Sequence, residues 1–108
     1  MGLRLRRSAA ETPAEVIHSD VTAIAEAHAR TLVRVRGSVT RMKARPSSGM
    51  PSLAVSISDA TGSVTAVWTG RRSIGGITLG RHVLIEGVPV QVGDRLEFIN
   101  PAYTLLQH

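Results

Sequence analysis

Three basic residues at alternate positions are the clearest candidates for chemistry in this sequence. Arg41, Lys43 and Arg45 follow one another two residues apart, which in a β-strand places their side chains on one face, about 6–7 Å from one another. That spacing suits the successive phosphates of an extended single strand of nucleic acid. A solvated edge strand that uses charge to prevent sheet-to-sheet aggregation shows the same pattern, so both interpretations stay open.

Two further arginines precede this track on the same stretch of chain. Arg34 and Arg36 alternate with valines, so they are expected to face outward from a half-buried strand. They either extend the basic track or pair with carboxylates on neighbouring strands, for which Glu86 and Glu97 are the candidates.

A third group combines two arginines with the only tryptophan. Arg71 and Arg72 come shortly after Trp68. Guanidinium groups there could bind phosphate bidentately or stack on a base, or they could form the polar rim of a loop. An exposed Trp68 would supply a stacking surface for a base, but its alternation with Val64 and Ala66 favours a place in the core.

The charge of the chain is uneven and favours a polyanionic partner. The net charge is +5, and of 13 basic residues only Lys43 is a lysine. Residues 1–29 carry three basic and four acidic residues, whereas residues 30–108 carry ten and four. The basic excess therefore belongs to the second segment, and such an imbalance promotes association with polyanions.

The sequence offers no pattern for catalysis, cofactor or metal binding. It has no cysteine, which excludes disulfides, zinc–thiolate sites and cysteine nucleophiles. The 4 histidines lack metal-ligand spacing, and neither a nucleophile elbow nor a phosphate-binding loop is present. We expect a non-enzymatic protein without cofactor or metal.

The same composition bears on location. The lack of cysteine favours a reducing cytoplasm. The basic start, residues 1–10, is not followed by the apolar segment of a signal peptide, and no apolar run reaches the length of a membrane span. We therefore expect a cytoplasmic protein that does not bind membranes.

Five strands are predicted to position the basic residues. Alternating apolar and polar residues indicate strands at about 31–45, 53–58, 63–69, 81–92 and 95–105. Tight turns are predicted at 59–62 and at Gly93-Asp94. Side-chain parity shifts near Gly37 and Gly87, where we predict a bulge or bend; near Gly37 the alternative is a strand that runs past the sheet into solvent.

The N-terminal segment has a different character from the strands. Thr12-Pro13-Ala14-Glu15 combines a capping threonine, proline at the first helical position and glutamate two residues later, which predicts a short helix over about 13–18. Residues 22–29 either prolong this helix or form an irregular lead-in. We divide the chain into an N-terminal arm, 1–29, and a barrel, 30–108.

Five short strands with glycine bends are what a small closed barrel requires. The predicted fold class is all-β: a five-stranded OB-fold Greek-key barrel preceded by a short N-terminal helix, with an SH3-like barrel as the rival.

Five segments carry a resemblance to known proteins: VRVRGSV (33–39), LAVSISDATG (53–62), VTAVWTGRRSIGGITLGR (64–81), LIEGVPV (84–90) and INPAYTLL (99–106). They resemble a family of small stand-alone OB-fold proteins of high-GC, actinobacterial-type bacteria. This resemblance implies an OB-fold barrel and nucleic-acid binding, although the fold by itself does not decide which ligand is bound.

Two functions follow as hypotheses. The first is binding of single-stranded DNA or RNA, with little sequence specificity, on the outer surface of the first three strands and the loop at 46–51. The alternative is a protein–protein interaction module that docks on a larger partner. Exposed apolar side chains at Val16, Ile17, Val21 and Ile24 would favour this alternative.

Overall fold

A computed structural model describes residues 21–45 and 50–107 of the chain, and this part is mostly β-structure. The predicted all-β class is confirmed. The predicted helix over 13–18 lies outside the described residues, and within them the only helical element is a 3-10 turn, Ile24–Glu26. The strands are β1 (Val33–Arg45), β2 (Ser52–Asp59), β3 (Gly62–Thr69), β4 (His82–Gly87), β5 (Val90–Val92), β6 (Arg95–Ile99) and β7 (Ala102–Leu105).

The strands form one mixed sheet in the order β5-β6-β3-β2-β1-β4-β7. β1, β2 and β3 are an antiparallel meander, and β6 joins β3 in parallel. On the other flank β4 is antiparallel to both β1 and β7. β1 connects the two flanks, because residues 33–38 pair with β4 and residues 38–45 pair with β2.

Seven strands are found in the described residues where five were predicted. The predicted fourth strand is divided into β4 and β5, and the predicted fifth into β6 and β7. The first division falls at Val88-Pro89 and the second at Asn100-Pro101. Proline has no N–H for the strand ladder, and Asn100 has a φ of 51°, which takes the chain out of the extended conformation.

The predicted bulge in β1 exists but lies three residues later than expected. Gly37 continues the pairing with β4, opposite Val83, and the register shifts between Val39 and Arg41. The glycine serves another purpose: a Cβ at position 37 would collide with the backbone carbonyl of Ser58. The glycine that interrupts the apolar alternation at position 37 is therefore required by the close approach of two strands.

The core is mostly aliphatic and extends beyond the strands. Fully buried residues include Val35, Val55, Ile57, Ile85 and Phe98. The connection between β3 and β4 adds Ile74 and Ile77 to this cluster, whereas Leu79 in the same connection is exposed.

The lead-in before β1 is irregular, and it is attached to the sheet both by core packing and by hydrogen bonds. Ile24 and Ala27 are part of the core cluster. Burial of an isoleucine of this kind stabilises a fold by about 1.5–3 kcal/mol. Residues 22–29 therefore follow the lead-in alternative and do not prolong a helix.

Asp59, at the turn between β2 and β3, holds this lead-in in place. Its carboxylate accepts hydrogen bonds from the Ile24 N–H at 3.0 Å, from the Thr61 N–H at 2.7 Å and hydroxyl at 2.6 Å, and from the Gly62 N–H at 3.1 Å. Burial acts to raise the pKa of Asp59, but the hydrogen bonds from Thr61, Ile24 and Gly62 outweigh it and hold the pKa below its ordinary value.

Asp59→Asn should lower the free energy of unfolding by about 1 kcal/mol at pH 7, because four hydrogen bonds lose a charged but partly solvated acceptor. The native-state pKa is depressed, so the charge contributes its stability above the unfolded-state pKa and loses it as the pH falls through the native value. Urea denaturation at pH 7 and at pH 3 or below measures this. The difference in free energy of unfolding between the variant and wild type should be smaller in acid. An equal loss of unfolding free energy at both pH values would contradict this role for the charge of Asp59.

Gly37→Ala should destabilise the protein by about 2 kcal/mol, because the added methyl group would collide first with the Ser58 backbone, which cannot move aside as a side chain could. Gly75→Ala is the matched control: the nearest atom to its Cβ is the Tyr103 hydroxyl oxygen at 3.9 Å, and we expect a change within about 0.5 kcal/mol. Chemical denaturation measures both, and equal stabilities of the two variants would refute the close-approach interpretation.

Candidate nucleic-acid interface

The bulge after Val39 decides which way the basic residues of β1 face. Beyond it, Met42 lies opposite the core residue Val55 and packs against the core. Because side chains alternate along a strand, Arg41, Lys43 and Arg45 then point to the outward face. We call these three residues the basic track.

The basic track lies beside short side chains on the neighbouring strand. Arg41 is opposite Ser56, Lys43 is opposite Ala54, and Arg45 is opposite Ser52. This part of β2 therefore carries only short side chains beside the three cations.

Two of the three cations of the track have no carboxylate partner among the described residues. Arg41 and Lys43 are exposed, and neither forms an ion pair with any residue in 21–45 or 50–107. A track that served only as a solvated edge would show the same exposure. The pattern therefore supplies an unneutralised positive surface without identifying its ligand.

Arg45 differs, because it reaches a carboxylate on another strand. Its Nη2 lies 3.9 Å from Oε2 of Glu97 on β6. β2 and β3 separate β1 from β6, so the Arg45 side chain crosses the outward face of both. Ala54 and Val67, which face each other across β2 and β3, are buried on that face.

Glu97, the second candidate partner for the arginines at 34 and 36, pairs with other arginines among the described residues. Besides Arg45, its partner is Arg95, whose Nε and Nη2 donate to Oε2 at 3.2 and 2.9 Å. Sequence reasoning missed Arg95. The available signal was its position two residues before Glu97, which puts both side chains on one face of a strand.

The structure separates Arg34 and Arg36 from the basic track. Both lie on the part of β1 that pairs with β4, and Arg34 Nε is 3.4 Å from Glu86 Oε2. The ion pair with Glu86 is one of the two outcomes expected from the sequence. Because β1 changes its partner strand between these residues and Arg41, the five basic residues do not form one continuous row.

Arg71 and Arg72 lie at the same end of the sheet as Arg45. Arg45, Ser52 and Thr69 form one cross-strand row, and the two exposed arginines follow Thr69 after a single glycine. Chain topology therefore brings a second cationic pair to the end of the basic track. Part of the loop on that side, residues 46–49, lies outside the described residues.

Trp68 belongs to the core. Its indole N–H donates to the Pro101 carbonyl at 3.2 Å in a buried hydrogen bond, and its ring packs edge-on against Tyr103 with centroids 5.7 Å apart. Phe98 is fully buried as well. The interpretation from strand parity was right, and Trp68 presents no open face for stacking on a base.

The described residues contain no group of three or more His, Asp or Glu side chains that could hold a metal ion. They also contain no helix with the length and apolar character needed to cross a membrane.

Comparisons with known proteins add no assignment. Neither a known protein family nor a curated protein matches this sequence.

Proposed function

We propose that the protein is a non-enzymatic, cytoplasmic nucleic-acid-binding protein that binds single-stranded DNA or RNA. The phosphates lie along Arg41, Lys43 and Arg45, and the strand continues toward Arg71 and Arg72. The observation that carries this proposal is the basic track itself: three cations on one outward face, two of them without a carboxylate partner among the described residues.

The same proposal includes an OB-fold barrel. β4 and β5 can be taken as one bent strand, and so can β6 and β7, which only Asn100 and Pro101 separate. Pairing then runs from the first strand to the second, third, fifth and fourth, and returns to the first through the β1–β4 pair. This connectivity supports a five-stranded Greek-key barrel, as does the resemblance of residues 33–106 to OB-fold proteins.

Binding of this kind is electrostatic and weakly selective for sequence. Phosphate contacts position a nucleic acid but do not read its bases. Trp68 and Phe98 are buried, and the hydroxyl of Tyr103 donates to the Gly75 carbonyl at 3.0 Å. Without an exposed aromatic platform in the described residues, affinity depends on counterion release and falls steeply with salt.

The alternative, docking of the N-terminal segment on a larger protein, loses part of its basis. It required exposed apolar side chains, and Ile24 is buried in the core while Val21 is half-buried. Val16 and Ile17, the other two residues, lie outside the described residues.

The triple substitution Arg41→Gln, Lys43→Gln and Arg45→Gln should weaken binding of a labelled 12-nucleotide oligothymidylate about 100-fold at 50 mM salt. If about five basic residues contact phosphates, the wild-type slope of log affinity against log salt is near −3.5, and the triple variant should reduce its magnitude by about 2. Fluorescence anisotropy through a salt series measures both quantities.

A double variant that keeps the charge, Arg41→Lys with Arg45→Lys, is the control and should stay within about threefold of wild type. Thermal melts establish that all three proteins are folded. Wild-type affinity and slope in the folded triple variant would show that the basic track is not the binding site. No binding by the wild-type protein at 50 mM salt would refute the proposed function itself.

A further inference from the structure

We propose that Arg95 is a further phosphate-binding residue and that it shares one phosphate with Arg45, both guanidinium groups being held in position by Glu97. This inference rests on the proposed function, since it concerns the same bound strand. It adds the β5–β6 hairpin as the second side of the binding surface.

The two guanidinium groups come from different parts of the sheet and converge on one atom. Arg95 Nη2 is 2.9 Å from Glu97 Oε2, and Arg45 Nη2 is 3.9 Å from the same oxygen. The two terminal nitrogens therefore lie within about 7 Å of each other. Two charge-assisted hydrogen bonds of about 2.8 Å to neighbouring oxygens of one phosphate span such a distance.

Differences in exposure show where the ligand would lie. The Glu97 side chain is only 7% exposed, whereas those of Arg45 and Arg95 are 39% and 51% exposed. The carboxylate thus lies beneath the two guanidinium groups, accepts hydrogen bonds from Arg95 and forms a longer ion pair with Arg45. Each guanidinium has five N–H donors, and those not directed at Glu97 remain available on the solvent side.

The local charge is suited to an anion. Two cations share one buried carboxylate, so the cluster keeps one positive charge. A buried carboxylate between two arginines is stabilised by both, and it restricts the side-chain freedom that each arginine would lose on binding.

The surroundings favour a nucleotide strand over a small inorganic anion. Val92 lies opposite Arg95 and Val90 opposite Glu97, and Ile99 shares their outward parity on β6. All three aliphatic side chains are exposed. They form an apolar strip beside the two arginines, against which a base can pack while its phosphate contacts the guanidinium groups.

The test has to separate two roles of Arg95, because Arg95→Gln alone would also leave Arg45 as the one cation paired with Glu97 among the described residues, and this would offset the charge of Arg45. Arg95→Gln is therefore made in a Glu97→Gln background and titrated with the same 12-nucleotide oligothymidylate. A phosphate contact predicts a further loss of about 5- to 10-fold at 50 mM salt and a slope smaller in magnitude by about 0.7. An unchanged affinity would mean that Arg95 only neutralises Glu97, and would overturn the inference.

Sharing of one phosphate is tested by a double-mutant cycle in the Glu97→Gln background. If Arg45 and Arg95 contact the same phosphate, removing both should cost clearly less than the product of the two single fold-losses. Independent, multiplicative losses would refute the shared contact. Arg30→Gln, which removes one charge in the lead-in before β1, is the control and should change affinity less than about twofold.

If Glu97→Gln prevents folding, the wild-type protein gives the answer by NMR. The Nε–H signal of Arg95 should shift on titration with the oligothymidylate at 50 mM salt, and a static signal would overturn the inference. Wild-type binding that depends on the basic track but not on Arg95 would leave the proposed function intact. Failure of the wild-type protein to bind would remove both.

Discussion

The whole outward basic surface depends on how β1 changes partners along its length. Its first half pairs with β4 and its second half with β2. At the point where the partner changes, Gly37 allows close approach to the Ser58 backbone. The bulge after Val39 then exchanges the two faces of the strand. Without that exchange, Arg41, Lys43 and Arg45 would point into an aliphatic core, where unpaired charges cost several kcal/mol each.

Much of this arrangement was predictable from local pattern, and the failures have physical causes. Alternation located the strands of residues 21–45 and 50–107 and placed Trp68 in the core. It misplaced the bulge, because a glycine that breaks an apolar series has the same signature whether it bends a strand or admits a neighbouring one. It also joined strands across Pro89 and Pro101, since alternation continues through residues that cannot donate to a ladder.

Long-range pairing lay beyond the sequence signal. The sequence pattern named Glu97 as a candidate ion-pair partner for arginines, but it could not show that β6 joins β3 in parallel. That pairing brings Glu97 within reach of Arg45, which precedes it by more than fifty residues, and makes Arg95 part of the same surface. Conversely, Arg34 and Arg36 are near the basic track in sequence, but the change of partner strand sets them apart.

The central claim is that the outward face of β1, β2 and β3 binds the phosphates of a single strand. Backbone amide shift mapping by NMR, with unlabelled oligothymidylate added to ¹⁵N-labelled wild-type protein at low salt, tests it most directly. The account predicts the largest shifts at residues 41–45, 52–56 and 65–72, and their reversal when salt is added. Shifts confined to residues 22–32 or to β4 and β7, or no shifts at all, would contradict it.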